Sequence, residues 1–267
     1  RAPESFDDAK YSATRERSVG LGVMGFHSFM QKNMIPIESV MAKVWNKKMF
    51  QLIDKEVNAA SKKLAEERGP CPDAAEYGIN ERFSNKTAIA PTASISIICG
   101  GASPGIEPIA ANSYTHKTLS GSFNVRNKYL RKILQKYNQD TNEVWSSITT
   151  NQGSIDHLDF LSQDEKDVFK TAFEIDQRWL IDHSADRTPY ISQAQSLNVF
   201  IPADIHKKQL HQIHYQAWKK GLKSLYYCRS KSIQRAEVVN DSFAKTKKQK
   251  EQEKQQTTDY EECLSCQ

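Results

Sequence analysis

The chain is predicted to adopt an α/β fold in which helices separate short parallel strands. Three observations predict it. Short apolar runs bounded by Gly or Pro recur at 17–26, 86–90, 196–202 and 222–228. Amphipathic stretches of helical period lie between them, and strands joined through helices run parallel. Hydrophobic residues make up 38% and charged residues 26% of the 267, a soluble globular balance with enough apolar surface for a core. The longest apolar runs fall far short of a membrane span.

Each element follows in order. Residues 1–17 are polar and read as a leading arm without an apolar signal segment. The chain starts without Met, which reads as a processed or excised piece of a longer one. RSVGLGVMGF (17–26) reads as a short buried strand entering a tight turn. Gly20, Gly22 and Gly25 match G-x-G-x-x-G, but no ribose-binding acid follows in a βαβ context, so a dinucleotide site is not read there. Pro36 is placed to open the clearest helix. Val40, Met41, Val44, Met49, Leu52, Ile53 and Val57 form its stripe, read as core packing, and Gly69-Pro70 ends it. Residues 70–86 read as loop. Thr87 to Ala90 form a strand running into Pro91, and turns follow at Gly100-Gly101 and Pro104-Gly105. Helices are predicted over 125–137, 164–183 and 204–221, a strand over 196–202 and a final buried strand over 222–228. From Asp241 to Glu262 only Phe243, Ala244 and Tyr260 are hydrophobic, too few to offset ordering entropy. The organisation is therefore an α/β unit over 1–235 and a flexible tail over 236–267.

The formal charge of +5 is modest. The one Lys-rich stretch, Lys245 to Lys254, alternates with Gln and Glu and reads as a solvated tail rather than a nucleic-acid patch. Five Cys, odd in number and widely scattered, argue against a secreted disulfide framework and for reduced thiols in the cytoplasm.

Three places in the chain carry candidate chemistry. At Pro91, Thr92, Ala93, Ser94, Ile95 and Ser96 a strand ends and small hydroxyl residues begin a helix. On spacing alone this is first an ordinary Ser/Thr cap, and second an anion site built from free backbone N–H groups. Tyr226-Tyr227 on a strand would put one ring inside and one outside; a redox pair is the sharper alternative. Cys263-Leu-Ser-Cys266, at the tip of the polar tail, reads as a redox shuttle, as incidental cysteines, or as half a zinc site lacking its second pair.

These segments, in this order, resemble the large subunit of class I aerobic ribonucleotide reductases. RERSVGLGVMGF, APTASISIICGGASPGIEP, NSYTHKTLSGSF, ISQAQSLNVFIP, WKKGLKSLYY and the closing EECLSC carry the resemblance, which runs from Arg15 to Gln267. It implies the C-terminal part of that family's ten-stranded α/β barrel plus a mobile tail. It further implies that Pro91, Thr92, Ala93, Ser94 and Ile95 hold a substrate diphosphate, and that Tyr226 and Tyr227 relay a radical. Cys263 and Cys266 would reduce the active-site disulfide, across a linker whose reach is roughly 5–6 Å × √n. Glu107 matches the family's Gly-Ile-Glu acid, to which no role is assigned.

The departures are as informative. No Asn-x-Cys-x-Glu loop for a thiyl radical is present, no pair matches the active-site disulfide, and the effector-binding region has no counterpart. These parts precede this region in the family. The resemblance therefore implies an enzyme that reduces ribonucleoside diphosphates only with an N-terminal part of the large subunit, as from a split gene, and a small subunit. The chain itself would hold no cofactor or metal; a metal-based radical cofactor would sit in the small subunit, nucleotide effectors on the N-terminal part. Thioredoxin or glutaredoxin would be the reductant. Two alternatives stand: a triphosphate reductase with another radical source, against which the tyrosine pair speaks, and a non-catalytic fragment that modulates an intact reductase.

Overall fold

The computed structural model describes residues 5–118 and 121–230. The predicted tail, with Cys263 and Cys266, lies outside the described residues. The chain begins with α1 (Asp7–Glu16), where a leading arm was expected; Arg15 ties it to Asp73 and Glu76 at 2.6 Å each. Next come α2 (Phe26–Lys32), α3 (Val40–Arg68), α4 (Pro72–Glu76) inside the predicted loop, and α5 (Ala93–Ile98). A hairpin not foreseen from sequence pairs β1 (Ser113–Thr118) with β2 (Gly121–Arg126). Then follow α6 (Lys128–Lys136), α7 (Asn142–Thr150), α8 (Gln163–Val168), α9 (Gln177–Arg187), β3 (Val199–Ile201), α10 (Lys207–Lys219) and β4 (Cys228–Ser230).

Four extended segments run side by side as a parallel ribbon. Leu21 pairs with Thr87, Ile89 with Gln195, and β3 with β4, all parallel. The first segment is not the buried strand expected at 17–26: Leu21 is 54% exposed, and the pairing is a single bridge. Its glycines serve close approach. A Cβ at Gly22 would lie 2.7 Å from the Ala88 carbonyl oxygen, and Gly25, at φ +79°, precedes α2. At the other edge, 222–227 are extended but not a buried strand; regular pairing is confined to β4.

Two cores stabilise the fold. The first joins Phe26, Met30, Phe50, Ile89, Leu180 and Val199 from α2, α3, α9 and the ribbon. The second gathers Leu130, Leu134, Trp145, Ile148, Leu158 and Phe169 from α6, α7 and their flanks. This division explains why the single helix expected over 164–183 is two. Val168 and Phe169 belong to the second core and Ile175 and Leu180 to the first, so one apolar stripe in sequence serves two cores. Polar caps break it: Ser162 and Glu165 form a capping box before α8, and Asp176 accepts from Arg178 N at the start of α9.

The long helix α3 begins at Ser39, whose side chain accepts from Ala42 N, rather than at Pro36. Of its apolar stripe only Met49 packs against the first core, contrary to the sequence reading. Val40 is 73% exposed and Leu52 59%, and the buried face instead holds Ala42, Asn46 and Phe50. What decides the face is a polar lock. Asn46 donates to the His183 carbonyl at 2.8 Å and accepts from the Arg187 guanidinium at 3.3 Å. Arg187 is fully buried, bonded to Gln195 and stacked over Phe26 and Phe50 at 5.9 and 5.8 Å. Burial pushes its pKa down to about 9, so it stays charged at neutral pH.

Two buried histidines make the first core acid-sensitive. His27 accepts from Ile109 N at 3.1 Å, and His183 Nε2 lies 2.7 Å from the Ile37 carbonyl oxygen. Burial lowers their pKa values to about 3 and about 4. Both folded values lie below the unfolded one of about 6.5. The unfolded state therefore takes up protons first, and stability is lost as pH falls from about 6.5 toward about 4. Each histidine contributes at most about 1.4 kcal/mol per pH unit. Urea unfolding at pH 7 and pH 5 should show the loss, and His27→Gln should reduce it; equal midpoints at both pH values would refute the assignment.

Candidate functional site

The candidate anion loop lies where the second ribbon segment ends. Ile89 is held to the third ribbon segment, donating to the Ala194 carbonyl at 3.2 Å and accepting from Ser196 N at 2.9 Å. The chain then leaves the ribbon through Ala90 and Pro91 and turns into α5, with Thr92 at its N-cap position. Thr92 does not cap the helix, so the ordinary reading of this segment is not what forms. Its Oγ1 accepts instead from Gly105 N at 2.7 Å, and α5 has no side-chain cap. The first N–H groups of an uncapped helix have no intrahelical acceptor. Pro91, Ser94 and Ile95 are exposed, with Thr92 and Ala93 partly buried beside them.

The following loop is pinned from behind. Ser28 and Ser103 exchange bonds, each amide donating to the other's hydroxyl, at 3.1 and 2.8 Å. Lys128 Nζ donates to the Gly100 carbonyl at 2.9 Å. Gly105 has φ +49°, and a Cβ there would meet the Ala90 carbonyl oxygen at 3.0 Å, so the contact with Thr92 requires glycine.

Tyr226 and Tyr227 precede β4. Tyr226 N donates to the Leu197 carbonyl at 2.8 Å, and the Tyr227 carbonyl accepts from Val199 N at 2.9 Å. The two rings do not divide between core and solvent, as strand alternation suggested. Both are partly exposed, at 42% and 44%, with centroids 4.2 Å apart and planes at 56°. The extended segment is irregular before β4, which lets neighbouring rings meet. Arg229 lies 5.6 Å from the Tyr227 ring centroid.

A groove of about 480 Å³ crosses the ribbon. Gly20, Ala88, Ala90, Gln195 and Tyr226 line it, so Ala90, which leads into the candidate anion loop, and one of the two tyrosines share one surface. Glu107 is buried. Burial raises its pKa, opposed by hydrogen bonds from Asn198 and by the charges of Arg229 and Arg187. Sequence reasoning left Asn198 unremarked; the signal available was a lone amide inside the apolar run SLNVFIP. Cys71 is buried, Cys99 and Cys228 are exposed, and none of the three is in a disulfide. Among the described residues no cluster of His, Cys, Asp and Glu could hold a metal ion, and no helix is long and apolar enough to cross a membrane.

The chain matches the family described as "Ribonucleotide reductase, barrel domain" over residues 4–77 and 73–228. It is 48% identical over 246 residues to the ribonucleoside-diphosphate reductase large subunit of Invertebrate iridescent virus 6, covering 91% of this chain and 25% of that protein. The corresponding protein of Invertebrate iridescent virus 3 is 44% identical over 242 residues, covering 90% of this chain and 38% of that one. Among solved structures, the Actinobacillus ureae class Id ribonucleotide reductase alpha subunit is similar with a TM-score of 0.80 at 37% identity. That likeness covers 91% of this chain and 44% of the other. The chain thus spans 25% to 38% of the length of the two viral relatives.

Proposed function

The chain belongs to the ribonucleotide reductase barrel-domain family, and from that premise we propose that it supplies the substrate phosphate site and the radical relay of a ribonucleoside-diphosphate reductase. Its mixed helix and strand architecture is part of that family's barrel. The observation that carries the proposal is the shared groove, in which the approach to the anion loop and the ring of Tyr226 face one space.

In this reading the diphosphate of a ribonucleotide sits on the uncapped start of α5, at Pro91, Thr92, Ala93, Ser94 and Ile95. Backbone N–H groups there meet negative charge without any lysine in the motif. Thr92, committed to Gly105, shapes the loop more than it binds. Tyr226 and Tyr227 pass an electron and a proton between neighbours; their ring separation of 4.2 Å suits transfer within the pair. The small subunit, with its metal-based radical cofactor, supplies the oxidising equivalent. The thiyl-forming cysteine lies on another part of the large subunit, because this sequence has no Asn-x-Cys-x-Glu loop.

Reassembly tests this. The chain with the small subunit alone should reduce no ribonucleotide, and turnover should appear when a polypeptide carrying the rest of the large subunit is added. Turnover without that addition would overturn the division of roles; none after it would leave the modulator alternative. The same assembly tests Cys263 and Cys266, proposed to re-reduce the active-site disulfide by thiol exchange. Cys263→Ser or Cys266→Ser should stop turnover driven by thioredoxin or glutaredoxin and spare turnover driven by dithiothreitol. Full activity with the protein reductant would remove the shuttle, and loss with both reductants would move these cysteines into the fold or the chemistry.

A further inference from the structure

Glu107 and Asn198 stand between the two halves of the site, and the relay and phosphate roles leave both unused. Glu107 follows Gly105 by two residues, and Gly105 N is the group that holds Thr92 at 2.7 Å. The Glu107 carboxylate accepts twice from one residue: from Asn198 N at 2.7 Å and from Asn198 Nδ2 at 3.0 Å. The remaining polar atom of that side chain, Oδ1, accepts from Tyr227 N at 3.0 Å. From the candidate anion loop the two-residue covalent step Gly105 to Glu107 leads into a run of hydrogen bonds through two buried side chains to the Tyr227 backbone.

The run has a direction. A carboxylate only accepts, and a backbone N–H only donates. A residue between them must offer a donor to one side and an acceptor to the other, which an amide does. Both side chains are buried, at 8% and 2% exposure, so water cannot replace a lost partner cheaply. Nearby, Tyr226 N and Val199 N tie the same segment to the strand that carries Asn198.

We propose that Glu107 and Asn198 are positioning residues that hold the Tyr226–Tyr227 pair in register with the anion loop. The inference rests on the reading of the tyrosines as a relay. It concerns where the rings stand: Asn198 holds this pair through the Tyr227 backbone N–H. Transfer between aromatic neighbours depends steeply on placement, and a misplacement near 1 Å costs catalysis about a hundredfold in well-ordered sites.

The direction of the run supplies the test. Glu107→Gln sets an amide donor against the donors of Asn198; flipping Asn198 relieves that but turns a donor toward Tyr227 N. Asn198→Asp puts a second carboxylate beside Glu107, a pair that keeps its bonds only by taking up a proton, so its loss of kcat should deepen as pH rises. The double change restores every bond. The introduced glutamine accepts from the backbone N–H at position 198 and donates to the introduced aspartate, which still accepts from Tyr227 N. In the assembled reductase each single variant should lose kcat by at least about tenfold with KM for the ribonucleoside diphosphate kept within about threefold. E107Q/N198D should recover kcat to within about threefold of the parent. Single variants with parental kcat, a change confined to KM, or a double variant no better than the worse single one would each overturn the proposal. If a single variant does not fold, the double variant still decides, because it is expected to fold and turn over. Should Tyr226→Phe and Tyr227→Phe prove fully active, the relay reading fails by itself. The link is then read from the ring NMR resonances of Tyr227 in this chain. They should move in both single variants and return in the double one; unmoved resonances would refute it.

Discussion

Replacing Tyr226 or Tyr227 with phenylalanine in the assembled enzyme should abolish turnover and leave diphosphate binding within a few-fold of the parent. The two rings contact each other at 4.2 Å and are both partly exposed. Phenylalanine keeps that ring contact and removes only the O–H group that a radical relay oxidises. The backbone bonds at this segment, Tyr226 N to Leu197 and Tyr227 N to Asn198, do not involve the phenols and should survive. Binding and turnover should therefore separate cleanly, as loss of kcat without a matching loss of affinity. A variant with more than a trace of activity would remove that tyrosine from the relay. A variant that loses binding as well would show the ring to be structural.

A second large effect is expected far from the groove. Gly153→Ala should destabilise the chain by about 3–5 kcal/mol, from strain at positive φ together with overpacking. Gly153 has φ +84°, and a Cβ there would overlap Ala111 and sit 2.9 Å from Asn112 N. The clash falls on a junction. Asn112 is buried and bonds to the carbonyls of Gly153 and Phe169 at 3.0 and 2.7 Å, joining the start of β1 to the second core. Such a loss is a large fraction of a typical domain's stability of about 5–15 kcal/mol. The urea midpoint measures it; a midpoint unchanged from the parent would mean that the 151–154 turn shifts freely, contrary to its bonding.

Much of the architecture was legible because local rules and packing agree. The strand at 196–202 and the helix at 204–221 appear near their predicted places as β3 and α10, and Gly69 ends α3 with φ +79°. The α3 stripe misled because burial is decided by the neighbour. Asn46 and Arg187 form a lock with α9 that no hydrophobic periodicity marks, and it turns Val40 and Leu52 outward. The site was legible as motifs and not as geometry. Spacing identified Thr92 as a helix cap; the Gly105 amide that claims its hydroxyl is distant in sequence. Tyr226 and Tyr227 were conspicuous as a pair, whereas the amide that bonds to their backbone lies on another ribbon segment. The hairpin β1–β2 was missed because SYTHKT and GSFNVR are too polar to read as strands.

The parallel ribbon has a kinetic consequence. Its neighbours are remote along the chain: Leu21 meets Thr87, Ile89 meets Gln195, and Val199 meets Cys228. Closing such loops costs entropy before any contact repays it, and chains dominated by distant pairings fold slowly. The second core needs no such closure, since Leu130, Trp145, Leu158 and Phe169 follow one another within a short stretch. Helices α6 and α7 can therefore collapse early, while the ribbon waits for four separated segments to arrive. The groove and Tyr226 are carried by that ribbon, so in a refolding time course they are expected to form after α6 and α7.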